Sequence, residues 1–174
     1  IELLRDALDA ERRRRQLSWA AATRQINRED EGCVWKYRIA VSSVSKIGQN
    51  KSGVAEADGV LQMLVWLKRT PESFVVPSIE GANSHSHELQ IPTGKQILRW
   101  DTIALHAALD KKRVDIGGSW RDLALAIGGG WNAAMLQRLA KGGRVSFPGD
   151  MRLVLWIGRP AADFTTLEQH PTEV

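Results

Sequence analysis

Four side chains able to hydrogen-bond or neutralise an acidic polymer fall close together late in the chain. They are Gln137, Arg138, Lys141 and Arg144, in the stretch LQRLAKGGRVS. The planar amide of Gln and the planar guanidinium of Arg form paired hydrogen bonds to the edges of adenine and guanine. Lys and Arg also neutralise phosphate, which positions a partner without specifying its sequence. Upstream, Arg121 adds another cation, so residues 120–144 hold four basic side chains and one acidic one. A second basic cluster, Lys36, Arg38, Lys46 and Lys51, contains no acid and is interleaved with Ser42, Ser43 and Ser45. The chain as a whole carries only +4, from 24 Lys plus Arg against 20 Asp plus Glu. Its positive charge is therefore local, as a surface for an acidic partner requires.

Other chemistries find less support. Cys33 is the only cysteine, so no intrachain disulfide can form, in keeping with a reducing cytoplasm. It has no His or Asp arranged as the partner of a catalytic thiol. His85 and His87 stand as HSH without a third ligand, so neither a metal nor another cofactor is expected. The glycines of GGGWN lack the Lys-Ser/Thr of a phosphate-cradling loop. No carboxylate pair or catalytic triad stands out, and an enzyme is not expected. No apolar run reaches the roughly 18 residues of a membrane span, and no secretory signal is visible. The expected setting is the cytoplasm, with no membrane partner. The sequence opens on Ile1 rather than Met, which points to residues before it.

The elements that must position these side chains are written twice. ALDAERRRRQLSW begins at Ala7 and ALDKKRVDIGGSW begins at Ala108, an ungapped match at an offset of 101 residues. Each begins within an amphipathic helix, with Leu4, Ala7 and Leu8 matched by Leu105, Ala108 and Leu109. Asp101 is a natural cap for the second of these helices. Ser18 and Ser119 are natural caps for short helices ending near Ile26 and Ile127. Further on, a helix over about 132–140 turns Leu136 and Leu139 inward. In the first copy Val41, Val44 and Ile47 supply the matching apolar face, after nine extra residues. The copies rejoin at VLQMLVWLKRTPESF and MRLVLWIGRPAADF, each a helix followed by a turn. Trp19 with Trp120, and Trp66 with Trp156, recur at equivalent places and read as core. Trp100 opens the second copy, while Trp35 and Trp131 lie in irregular connections and are expected to be exposed.

This order of elements resembles the lambda-repressor-like, or XRE-family, helix-turn-helix domain. SWRDLALAIG is similar to the first helix of that motif, with Ala124 at its small-residue position. LQRLAKGGRVS is similar to the end of the recognition helix and the basic loop after it, and MRLVLWIGRPAADF to the closing helix and turn. The resemblance covers nearly all of both halves. The first copy departs from it in the insertion at 27–38, and in Asn27 where a glycine is usual. The second copy departs from it in a turn about two residues longer.

The resemblance implies an all-α chain of two tandem helix-turn-helix domains, each of four to five helices, joined by a polar linker. The boundaries read as 1–76 for the first domain, 77–96 for the linker and 97–168 for the second, with a tail at 169–174. It also implies double-stranded DNA as the partner and a recognition helix in the major groove. In the second copy Gln137 and Arg138 are then base readers, Ala133 and Ala134 either touch a thymine methyl or allow close approach, and Arg121, Lys141 and Arg144 meet phosphate. In the first copy Ser42, Ser43, Ser45 and Lys46 face outward with Lys51 flanking them, and these five are further candidates for DNA contact. The arginines at 12–15 spread round a helix end and favour the helix dipole. The expected function is a sequence-specific transcriptional regulator, repressor-like, as a monomeric pseudo-dimer or a homodimer. The alternative is a protein-interaction or assembly module, with a protein partner docking on the insertion at 27–38.

Overall fold

A computed structural model describes residues 1–29, 38–47, 56–75, 88–143 and 145–169. The first half contains α1 (Glu2–Arg14), α2 (Trp19–Ile26), α3 (Val41–Ser45) and α4 (Ala57–Leu67), followed by a 3-10 turn at Pro71–Phe74. The second half contains β1 (Gln96–Trp100), α5 (Thr102–Asp115), α6 (Trp120–Ile127), α7 (Ala133–Arg138) and α8 (Phe147–Ile157), with 3-10 turns at Leu139–Lys141 and Ala161–Phe164. It closes with β2 (Thr165–Gln169).

The chain is therefore not all-α, as the resemblance implied, but mainly helical with a two-stranded sheet. β1 and β2 pair antiparallel, Gln96 opposite Gln169 and Trp100 opposite Thr165. The linker and tail of the sequence reading thus each give one residue to a strand, Gln96 to β1 and Gln169 to β2. Each strand has only five residues, and its partner lies at the other end of the second half. Local periodicity does not reveal such a pairing. Leu98 is fully buried at its centre.

The thirteen-residue repeat has a structural cause. Arg12 donates to Asp9 Oδ1 from Nε (3.0 Å) and to the Leu17 carbonyl from Nη1 (2.8 Å), and its guanidinium lies 4.9 Å from the Trp19 ring centre. Arg113 repeats each contact: Asp110 Oδ1 (2.8 Å), the Gly118 carbonyl (3.1 Å) and the Trp120 ring (5.4 Å). The i,i+3 Asp–Arg pair on a helix surface holds the guanidinium in place. The guanidinium then ties the end of one helix to the indole that opens the next. Between them the chain turns through a left-handed residue, Gln16 (φ 55°) in one copy and Gly117 (φ 64°) in the other. Ser18 and Ser119 cap the following helices by accepting the N–H of Ala21 and Asp122.

The arginines at 12–15 do not form a free cationic face. Arg12 and Arg13 pair with Asp9, and Arg14 and Arg15 with Glu11. Hydrogen bonds from Arg14 hold the Glu11 carboxyl at about 2, well below its ordinary value. Arg15 also reaches across to Trp66, with its guanidinium 4.5 Å from the ring centre.

The two halves share one apolar core. Leu4, Leu8, Leu61 and Leu64 of the first half and Leu98, Leu105, Leu109 and Leu123 of the second are all fully buried in it. α4 buries five successive residues, 60–64, so it is covered all round its axis. It packs on α8 and on β1. Glu56 and Ser146, which directly precede α4 and α8 and occupy equivalent places in the two copies, form an antiparallel bridge. Side chains stitch the same seam. Gln62 Nε2 donates to the Leu98 carbonyl (2.7 Å), Asp58 accepts the Trp100 N–H (2.9 Å) and Glu72 accepts the Ala161 N–H (2.7 Å). Arg28 donates to the carbonyls of Gly94 and Gln96.

Asp150 on α8 is fully buried at this seam, and neither carboxyl oxygen has a hydrogen-bond partner among the described residues. Burial pushes its carboxyl up to about 8 from an ordinary 3.8, and the nearby Asp58 adds to the rise. Burial raises Asp58 too, together with Glu56 and Glu168, while the Trp100 N–H and Arg99 oppose it. The folded protein thus keeps a proton on Asp150 that the unfolded chain loses above about pH 4. The stability linked to this proton is complete below the unfolded value and declines as pH rises towards 8. Asp150→Asn should flatten that decline, which one proton makes at most about 1.4 kcal/mol per pH unit. Urea unfolding of both proteins at pH 5 and pH 8 measures it, and an unchanged slope would contradict the assignment.

Candidate nucleic-acid interface

The second-half motif is built from its caps inward. Asp122 closes a capping box on α6: Ser119 accepts its N–H, and its carboxylate accepts the Ser119 N–H at 2.9 Å. The Ser119 hydroxyl holds the Asp122 carboxyl below its ordinary range. The one acid among residues 120–144 is therefore engaged in a cap. Leu123, Ala124 and Ile127 face inward, leaving Arg121 and Leu125 exposed. The small side chain of Ala124 lies on the buried side of α6, which packs against α7.

Gly128, Gly129 and Gly130 all have positive φ, which only glycine adopts freely. At Gly129 a side chain would also require the exposed Arg152 side chain to move aside. A Cβ there would lie 2.5 Å from Arg152 Nε. Asn132 then caps α7, its Oδ1 accepting the Met135 N–H at 2.9 Å. After Arg138 the helix tightens into the 3-10 turn at Leu139–Lys141 and stops at Gly142 (φ 70°).

On this short element Leu136 and Leu139 point into the core, at 0% and 1% exposure. Ala134, Gln137, Arg138 and Lys141 are exposed together and Ala133 is half-buried. Arg144 lies outside the described residues. Arg121, Arg138 and Lys141 have no ion pair among the described residues, unlike the arginines at 12–15. Met135, beside Leu136, is 38% exposed.

The first-half motif is weaker. α3 has five residues and no side-chain cap. Ser42, Ser43 and Lys46 are exposed, and Ser45 is half-buried. Val41, expected to face inward, is 42% exposed because it begins the helix, while Val44 and Ile47 fill the core. Arg38 pairs with Glu29 at 3.7 Å. Lys36 and Lys51, with Cys33 and Trp35 of the insertion, lie outside the described residues.

Asn27 explains how the long α2–α3 connection is accommodated. Its Oδ1 accepts the Ile39 N–H and its Nδ2 donates to the Ile39 carbonyl, both at 3.0 Å. One buried amide thus joins the two ends of the insertion and returns the chain to α3. Asn27 thus has a hydrogen-bonding role of its own at this position.

Sequence reasoning missed two residues beside α7. Arg152 lies exposed on α8 between buried Met151 and Leu153, against the Gly129 backbone. Its outward place in the helical period was the available signal. Trp131, expected to be exposed, is half-buried and packs on Gly149, where a Cβ would meet Trp131 Cζ2 at 3.2 Å.

Among the described residues no group of three His, Cys, Asp or Glu could hold a metal ion, and no helix is long and apolar enough to cross a membrane. Removing the α7 cap tests the local construction. Asn132→Ala should lower stability by about 1 kcal/mol and speed amide exchange at Met135 and Leu136. Exchange in α1 and α4 should stay as in the wild type, and uniform acceleration would contradict a local cap. Comparison of the chain with models of known families, with curated proteins and with solved structures finds no match.

Proposed function

We propose that the chain is a sequence-specific DNA-binding regulator, repressor-like, that reads DNA mainly through α7. The observation that carries this reading is the outward face of α7. With the 3-10 turn after it, this face leaves Gln137, Arg138 and Lys141 exposed, and neither Arg138 nor Lys141 has an ion pair among the described residues. A capped helix of this kind presents planar donors to base edges, while the surrounding cations meet phosphate. In this reading Gln137 and Arg138 specify sequence, Arg121 and Lys141 position the duplex, and the alanines permit close approach. Arg144, three residues after Lys141 in the sequence, is assigned to phosphate with Arg121 and Lys141. Occupying a promoter requires no catalysis.

The first half takes a lesser part. α3 offers serines and Lys46, which suit phosphate contact better than base reading. One chain then supplies two unequal motifs, a pseudo-dimer suited to an asymmetric site. The exposed Val41 on α3 favours a second reading for this half alone, as a scaffold or a protein-docking face.

A salt titration of binding to a random duplex pool tests the proposal. Affinity should fall steeply with salt, by a logarithmic slope of about 0.9 per phosphate contacted. Arg138→Ala should lose about 1–3 kcal/mol and relax sequence selection, while Lys141→Ala should weaken binding to all sequences and reduce the slope by about one. A folded chain that binds no duplex at low salt would contradict the reading.

A further inference from the structure

Between α7 and α8 lies a cleft of about 380 Å³. Trp131, Met135 and Pro148 give it an apolar side, and Arg138 and Arg152 a cationic one; the backbone of Gly129 forms part of the wall. Its size lies at the small end of ligand pockets, which run from about 300 to 1,000 Å³. Neither guanidinium has an ion pair among the described residues. A cation would be repelled here, and a neutral apolar molecule would leave both guanidinium groups without a counter-charge. A flat apolar body carrying one carboxylate satisfies both sides, because guanidinium binds carboxylate through two parallel hydrogen bonds.

The cation that α8 gives this cleft has no equivalent in the first half. Gln62 stands where Arg152 stands in the repeat, and its amide is buried in a hydrogen bond to the Leu98 carbonyl. The glycine turn beside Arg152 is likewise replaced in the first half by the longer connection at 27–40.

We infer that this cleft binds a small aromatic carboxylate. The ligand would occupy Arg138, so it competes with DNA; that consequence, unlike the site itself, rests on the DNA-binding reading. Phosphate has no use for the apolar side, which separates a carboxylate site from a plain seat for the DNA backbone.

The test uses the full ¹⁵N-labelled chain with 2-naphthoate, neutral 2-naphthalenemethanol and inorganic phosphate as probes. The Trp131 indole N–H is assigned by its loss in Trp131→Phe. Naphthoate should shift that signal and the Gly129 amide to saturation, and Arg152→Gln, an exposed change to the first-half residue, should weaken binding about tenfold. The site is overturned if naphthoate leaves these signals in place. It is also overturned if the neutral probe binds equally well, or if phosphate produces the same shifts. In a parallel titration, naphthoate should lower DNA affinity for the wild type and much less for Arg152→Gln. Equal DNA affinity with naphthoate bound would overturn the competition and leave the site standing.

Discussion

The Asp–Arg–Trp clamp sets the geometry on which the rest of each half depends. In both copies a guanidinium joins an aspartate one helical turn back, a carbonyl in the following turn, and the indole opening the next helix. Each contact is modest, about 0.2–1 kcal/mol for a surface ion pair and 0.5–1 kcal/mol for an exposed cation–π contact. Together they restrict the path between two helices at three points. With α2 and α6 so placed, their inward residues fix where α3 and α7 can lie. The outward face of α7 follows from the placement of Leu136 and Leu139.

The second constraint is the seam between the halves. An independent pair of domains would leave one face of α4 exposed to solvent. Here α4 is covered all round, and it meets α8, β1 and the bridge at Glu56 and Ser146. Equivalent residues face each other across that bridge, as they would in a symmetric dimer. Divergence has since given the two sides different work. Gln62 bonds across the seam, whereas its counterpart Arg152 turns outward beside α7. Asp150, opposite in the repeat to Val60, brings a buried carboxyl that neutral pH leaves protonated.

The parts legible in the sequence were those set by local rules. Ser18, Ser119 and Asp101 cap the helices their positions suggest, and the apolar spacing of Leu4, Leu8, Leu105 and Leu109 marks their buried faces. The repeat itself needed only an ungapped match. What escaped were the non-local pairings. β1 and β2 are short, and their hydrogen-bond partners lie more than half a chain copy apart. Asn27 looked like a missing glycine because its partner, Ile39, sits across the insertion. Trp131 looked exposed because nothing nearby in sequence covers it, whereas Gly149 of another helix does. Arg152 had no apparent role until the glycine turn was placed against it.

The central claim is that the outward face of α7, with the adjoining end of α6, is the surface that meets DNA. Hydrogen–deuterium exchange of the chain with and without a binding duplex tests it most directly, because it reports location without altering any residue. With duplex bound, exchange should slow in α7 and the 3-10 turn after it, with α5 unchanged. Protection confined to α5, or to the first half alone, would contradict it.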